Sequence, residues 1–253
     1  MPDVSLTTAI SAGNHVGVSA SAALAQFAGL IADQTRAAMC LALLDGRAWT
    51  AGELAKHAGV APSTASAHLT QLVAGGILTD EHQGRHRYVR LAGASIAGLI
   101  EDLASHVDVV EKPRSLKDSA KATALARART CYDHLAGRLG VDVADALSRN
   151  GLVTDSGFAL TKDGVAWLAE LDVDIESLRA GRRPLVRPCL DWTERRFHVA
   201  GAGGAALCEQ ALRRRWVERI GSGRALKVTP TGVQALHDLL GLDVGKLKTA
   251  GSK

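Results

Sequence analysis

From Thr50 to Leu91 the chain reads TAGELAKHAGVAPSTASAHLTQLVAGGILTDEHQGRHRYVRL, and no other stretch restricts the fold so tightly. Thr50 followed by Glu53 has the spacing of a capping box, in which each side chain satisfies a backbone N–H at the start of a helix. Gly59 ends that helix. Beyond a tight turn through Val60 and Ala61, Pro62 takes the first position of a second helix, where no amide donor is needed. Ala65, Leu69 and Leu72 then recur at helical spacing as one buried stripe. The other face carries Ser63, Thr64, Ser66, Ala67, His68 and Gln71. Ser, Thr and Ala are short, so such a helix lies deep in a DNA major groove and lets hydroxyls and an imidazole reach base edges and phosphates.

Gly75 and Gly76 stop the second helix, and two short runs, Ile77 to Glu81 and Arg87 to Leu91, flank the turn His82-Gln83-Gly84-Arg85-His86. The runs form a hairpin with a basic tip, and Arg85, His86 and Arg87 are placed to lie along phosphates or in the adjacent minor groove. A capped helix, a tight turn, a proline-started helix, a glycine stop and a basic hairpin, in that order, spell a winged helix-turn-helix.

Residues 24 to 103 resemble the ArsR/SmtB family of bacterial winged-helix repressors. ADQTRAAMCLALLDG is similar to that family's DPTRLRIL segment, with Asp33, Thr35 and Arg36 retained and Gln34 where proline is usual. VAPSTASAHLTQLVAGGIL is similar to its recognition helix and the strand that follows. The resemblance implies a homodimer bound to a palindromic operator of double-stranded DNA and released by an effector. It also implies that the helix expected from Ala94 to Val110, with Ile96, Leu99, Ile100, Leu103 and Val107 on one face, packs with a first helix (Ser21 to Ile31) across the dimer axis; an internal core helix has the same pattern. Metal-sensing members carry a Cys-x-Cys pair before the recognition helix or Asp and His pairs on the dimer helix. Here the first position reads Glu53-Leu54-Ala55-Lys56-His57, and the second offers only Asp102 and His106.

At 253 residues the chain suffices for two ordinary domains, and the fold class expected is mainly α with small β-hairpins, an α+β arrangement. Residues 1–19 read as a flexible tail, 20–112 as the winged-helix and dimerisation domain, and 113–253, after the break at Pro113, as a domain that binds an effector or stabilises the dimer. No apolar run is long enough for a bilayer, so a cytoplasmic protein with no membrane partner is expected. The net charge is +4, yet residues 1–110 hold six basic and nine acidic residues, a balance of −3, which leaves +7 on the rest. The positive charge of the DNA-binding part is therefore local to the wing, and affinity is expected to be strongly salt-dependent. No Ser, Cys or acid sits in a recognisable nucleophile or hydrolase motif, so neither an enzyme nor a cofactor is expected.

In the second half, Arg114 to Leu139 reads as one long helix carrying Cys131 and His134. The segment RARTCYDHLAGRLG resembles one found in longer ArsR-type regulators with an added C-terminal domain. Two hairpin-plus-helix units of winged-helix character follow: GLVTDSGFALT with KDGVAWLAEL, and WVERIGSGRALKVT with PTGVQALHDLL, with Thr161 and Thr229 as matching N-caps. Between them Asp191 and Glu194 have capping-box spacing, and Gly201, Gly203 and Gly204 permit close helix packing. Tyr132, Trp167, Arg187, Trp192, Arg195, Arg196 and Trp216 supply aromatic and cationic lining for a small organic effector bearing negative charge; an aromatic core with a basic rim is the alternative. Cys131, His134, Cys189, His198 and Cys208 are weighed as metal ligands. The spacings of nine and ten residues from Cys189 to His198 to Cys208 are not those of a zinc knuckle, so no metal is expected. Two alternatives to an effector-released repressor stay open: a thiol- or metal-responsive regulator using the C-terminal cysteines, and a winged-helix protein-interaction module.

Overall fold

The computed structural model describes residues 19–84, 86–107, 116–154, 158–221 and 223–245. Helix α1 spans Ala20–Ile31, and α2, Gln34–Leu43, starts where the Asp33 side chain accepts from the Arg36 N–H. Strand β1 is Trp49–Thr50, and helix α3, Ala51–Ala58, opens on the complete Thr50/Glu53 capping box and closes on Gly59 at φ 68°. Helix α4 spans Pro62–Ala74 and buries Ala65, Leu69 and Leu72. Strands β2, Leu78–Gln83, and β3, His86–Leu91, form an antiparallel hairpin, with β1 on the far side of β3. Helix α5 spans Ala94–Ser105. It ends at Ser105 with His106 as its C-cap, short of the expected Val110, and residues 108–110, residues 1–18 of the expected tail and the tip residue Arg85 lie outside the described residues. One core, including Met39, Leu43, Leu54, Leu69, Leu72, Ile77 and Val89, binds these elements. Burial of each large apolar side chain contributes roughly 1.5–3 kcal/mol.

The second half begins with helix α6, Leu116–Arg127, strand β4, Arg129–Cys131, strand β5, His134–Ala136, and helix α7, Gly137–Arg149. The single helix expected from Arg114 to Leu139 is thus two helices with a hairpin between them. Tyr132 turns the hairpin at φ 54°, and the hairpin enters α7 through Gly137 at φ 71°, where a side chain would press on the carbonyl oxygens of Ala126 and Leu125. Long-range partners decide the outcome. The N–H of Thr130 donates to Arg224 O and that of Leu226 to Ala128 O, both invisible to local periodicity.

Helices α8, Lys162–Glu170, and α9, Ile175–Ala180, complete the first unit. The second repeats the plan with β6, Arg187–Leu190, β7, Phe197–Ala200, α10, Gly201–Arg213, β8, Val217–Arg219, β9, Leu226–Val228, and α11, Pro230–Leu240. Each unit is therefore a hairpin, a helix of 13 residues, a wing-like turn and a capped helix. The expected pair of hairpin-plus-helix units is the latter half of this duplication. Thr161 and Thr229 cap as expected, each accepting from a glycine N–H at 3.0 Å. The first wing is reduced to the isolated bridge between Val153 and Leu160, and its turn at 155–157 lies outside the described residues. Asp191 and Glu194 form no capping box; Asp191 holds a turn by accepting from the N–H groups of Thr193 and Glu194.

The halves touch. Tyr132 packs against the winged-helix core, the Arg187 guanidinium lies against Gly98, and Arg195 Nη1 donates to Ser105 O at 2.9 Å. All three contacts bear on α5 or the core beneath it.

Candidate nucleic-acid interface and buried cysteine-histidine cluster

The stripe of Ala65, Leu69 and Leu72 fixes α4 against the core and leaves Pro62, Ser63, Thr64, Ser66, Ala67 and Gln71 exposed on the outer side. His68 is turned inward. Its side chain is 18% exposed, with Nδ1 3.8 Å from Asp33 Oδ1 and 3.4 Å from Arg36 Nη1. Arg36 is the anchor of this corner: it donates to the carbonyls of Leu30 and Gly29 at the end of α1 and to Gln71 Oε1 at 2.9 Å. Asp33, accepting the Arg36 N–H, has its carboxyl held below the usual range. The orientation of α4 is thus set by a polar clamp from the α1–α2 junction.

In the wing, Arg87 pairs with Asp80 (Nε to Oδ2, 2.8 Å) and its Nη1 lies 3.5 Å from Thr70 Oγ1, so it ties β3 to the recognition helix. His86 is exposed, and Arg90 pairs with Glu81 at 3.4 Å. The exposed side chains of Ser63, Thr64, Ser66 and Gln71 on α4 and of His86 on the wing offer hydroxyls, an amide and an imidazole, groups of the kind that meet base edges and phosphates.

The residues weighed as effector lining are not gathered into one cleft. Trp167 and Trp216 belong to the apolar core of the second half, where the Trp167 indole N–H is buried without a partner. Trp192 is stacked under the Arg129 guanidinium, 4.7 Å from the ring centre. Arg196 pairs with Asp145 at 2.7 Å, and Arg187 faces Asp102 at 3.8 Å. Tyr132, Arg187 and Arg195 face the winged-helix domain instead.

The structure does bring together four of the five residues weighed for metal. One donor atom from each of Cys131, His134, Cys189 and His198 lies within 4.8 Å of the other three, and all four residues are buried. In each hairpin the Cys and His are register partners, Cys131 opposite His134 and Cys189 opposite His198. The nine-residue gap in sequence is closed by the β6–β7 turn. Cys208 lies apart in the apolar core, and burial pushes its thiol up to about 12.

Sequence reading missed the residues around the cluster. His134 Nδ1 is 3.2 Å from Asp133 Oδ1, and Arg183 holds Asp133 with a second bond of 3.0 Å. His198 Nδ1 lies 3.3 Å from Asp191 Oδ2, close enough for charge attraction though poorly aligned for a hydrogen bond. Burial alone would lower the His134 pKa, but hydrogen bonds to Asp133 and Cys189 raise it to about 9. The Cys189 thiol is drawn far down by hydrogen bonding from Cys131 and from the two imidazoles. Glu101 of α5, with its pKa raised by burial, lies within hydrogen-bonding reach of Cys131 and leaves Oε1 unpartnered. A signal was present: Arg-x-Cys and His-x-Ala-Gly-x-x-Gly occur at 129–140 and again at 187–204.

Comparison with known proteins agrees with the geometry of the first half. Residues 31–81 match a helix-turn-helix domain family. The chain is 40% identical over 223 residues to the uncharacterized HTH-type transcriptional regulator YdfF of Bacillus subtilis (strain 168), covering 87% of this chain and 98% of that protein. It is 35% identical over 89 residues to the HTH-type transcriptional regulator CmtR of Mycobacterium tuberculosis, covering 35% of this chain and 75% of that one. The NMR structure of the cadmium metal-sensor CMTR from Mycobacterium tuberculosis aligns at 33% identity over 36% of this chain and 92% of that chain, with a TM-score of 0.28. The chain belongs to the HTH-type transcriptional regulators, as a long member of the ArsR/SmtB-like winged-helix group with an added C-terminal region.

Proposed function

We propose that this regulator works as a homodimeric repressor in the cytoplasm, reading a palindromic operator through α4 and the wing and leaving it when an effector acts through the C-terminal domain. One observation carries the reading. The chain presents the polar outer side of α4 while α1 buries no residue of its own and exposes Leu24 (69%), and α5 exposes Leu99 and Leu103, with Val107 exposed just past its end. Large apolar side chains in water beside a DNA-reading surface mark a protein interface, and a second copy completes it while supplying the second recognition helix that a palindrome requires.

Release needs a state of the dimer with different spacing of the two α4 helices, and an effector acts only through its different affinity for the two states. Arg187 against Asp102 and Arg195 against Ser105 give the C-terminal domain a direct hold on α5. A gel mobility shift with the promoter fragment of the protein's own gene tests the reading. A shift that becomes weaker and changes sequence preference in Ser63→Ala and Thr64→Ala variants is expected. No shift at low salt would overturn it and leave a protein-interaction module.

A further inference from the structure

We propose that Cys131, His134, Cys189 and His198 bind one thiophilic divalent cation of the zinc type, tetrahedrally, as a clamp between the two units of the C-terminal domain beside α5. The inference does not rest on the operator reading, and its test reads metal and not DNA.

The donor set comes in two equivalent pairs, one from each repeated hairpin, with Cys and His facing each other across the strands. The packing around them is equivalent too. The side chain of His198 lies 3.5 Å from where a Cβ on Gly140 would stand, and that of His134 lies 3.6 Å from the same point on Gly204. The hairpins therefore meet about a local two-fold relation, with two sulfurs and two imidazoles directed at one point. Ligand atoms on a tetrahedral zinc ion are about 3.3–3.8 Å apart, given bonds of about 2.3 Å to sulfur and 2.0–2.1 Å to nitrogen. The four donors here fall within 4.8 Å of one another without an ion.

The hydrogen-bond polarity of the rings points the same way. A carboxylate only accepts, so Asp133 sets a proton of His134 on Nδ1, and Asp191 Oδ2, 3.3 Å from His198 Nδ1, favours a proton on that nitrogen by charge attraction. That leaves the Nε2 atoms of His134 and His198 facing each other across 3.1 Å. Two ring nitrogens at that distance in a buried site need a cation between them, a proton or a metal ion. A proton shared between the rings would satisfy two of the four donors; a metal ion satisfies all four. Carboxylates behind ligating histidines are the usual outer support of a metal site, and Asp133 and Asp191 are in turn held by Arg183 and Arg129.

The donor chemistry selects the ion. Two thiolates and two imidazoles suit zinc, cadmium or cobalt(II) and disfavour magnesium and calcium, which want oxygen. With four protein ligands and no surface, the site is a closed one that holds structure together. Binding displaces to solvent the proton of the Cys131 thiol and the proton held between the two imidazoles, and leaves two S⁻–metal and two N–metal bonds. Glu101, laid against Cys131 by α5, walls the site on the winged-helix side.

The test is made on the full chain under reducing conditions. Elemental analysis of protein grown with zinc is expected to give one zinc per chain. Cobalt(II) added to chelator-stripped protein is expected to give the intense visible bands of tetrahedral cobalt with thiolate charge transfer, and zinc should bleach them. Cys131→Ser with Cys189→Ser should abolish the signal, Asp133→Asn should weaken affinity about 10- to 100-fold, and Cys208→Ala should leave one ion per chain. Should the double variant fail to fold, X-ray absorption on the zinc-loaded wild-type chain decides, with two sulfur and two nitrogen neighbours expected. A shell without sulfur, no cobalt chromophore in folded protein, or full stoichiometry in the folded double variant would overturn the proposal.

Discussion

Arg129 and Asp191 form an ion pair, Nη2 to Oδ1 at 2.8 Å, with neither side chain reaching solvent. The pair joins the two repeated units, because Arg129 opens the first hairpin and Asp191 starts the turn of the second. Asp191 also accepts the Gly137 N–H at 2.7 Å, holding the start of α7. Both ions were taken out of water, and breaking such a pair leaves one charge buried and alone. We expect Asp191→Ala to cost about 3–5 kcal/mol, with much of it regained on adding Arg129→Met, since a matched apolar pair removes the stranded charge. Urea unfolding at fixed protein concentration measures both; equal losses in the single and double variants would show that the charge is not the cause.

Leu24 on α1 and Leu103 on α5 are exposed at 69% and 45%. If a second copy covers them, a charge placed there opposes association without disturbing the monomer's core. Leu24→Glu and Leu103→Glu should each shift the mass by light scattering from dimer toward monomer. Far-ultraviolet circular dichroism should stay as in the wild type. A variant that remains dimeric would move the interface elsewhere.

The winged helix was legible because its signals are local. Thr50 and Glu53 cap the same turn they mark in the sequence, Pro62 starts the helix it introduces, and the Ala65, Leu69 and Leu72 stripe is the stripe that is buried. The hairpin at Cys131 was misread as helix because the flanking alanines and leucines fit a helical period. What overrides them is distant: Asp191, 62 residues from Arg129, and the strand edge at 224–226. The cluster escaped notice for a related reason. Cys189 and His198 stand nine apart in sequence yet face each other once β6 and β7 pair.

Cys40 and Cys208 are buried in separate apolar cores, which pushes their thiols up to about 11 and about 12. At pH 8 a thiol of pKa 11 is only about one part in a thousand thiolate, and the thiolate is the reactive form. Iodoacetamide with peptide mass spectrometry should find both unmodified in native protein and both modified in urea. Rapid labelling of Cys208 under native conditions would contradict its place in the core.

Hydrogen bonds from the Thr50 backbone and hydroxyl hold the Glu53 carboxyl below its ordinary range, and the Arg36 N–H does the same for Asp33. A carboxyl with a lower pKa folded than unfolded contributes its stability above the unfolded value, about 4, and loses it as pH falls through the folded value. The melting temperature should therefore drop between roughly pH 5 and pH 3, and Glu53→Gln with Asp33→Asn should flatten that drop. Calorimetry at fixed concentration checks this. An unaltered slope would assign the acid sensitivity to other carboxyls.

Arg87 separates two roles that a basic wing can have. Its bond to Asp80 and its approach to Thr70 make it a strut between β3 and α4, while its remaining N–H groups are free to meet a phosphate. If it contacts DNA, Arg87→Ala lowers the slope of log K against log salt by about 0.9, the signature of one lost phosphate contact. If it acts only as a strut, affinity falls with the slope unchanged, and Asp80→Ala has the same effect. We expect the reduced slope for Arg87→Ala, a further reduction on adding Arg85→Ala, and an unchanged slope for Ser63→Ala. Operator titrations by fluorescence anisotropy across a salt series distinguish these outcomes, and a slope unmoved in the Arg85 and Arg87 double variant would remove the wing from the DNA interface.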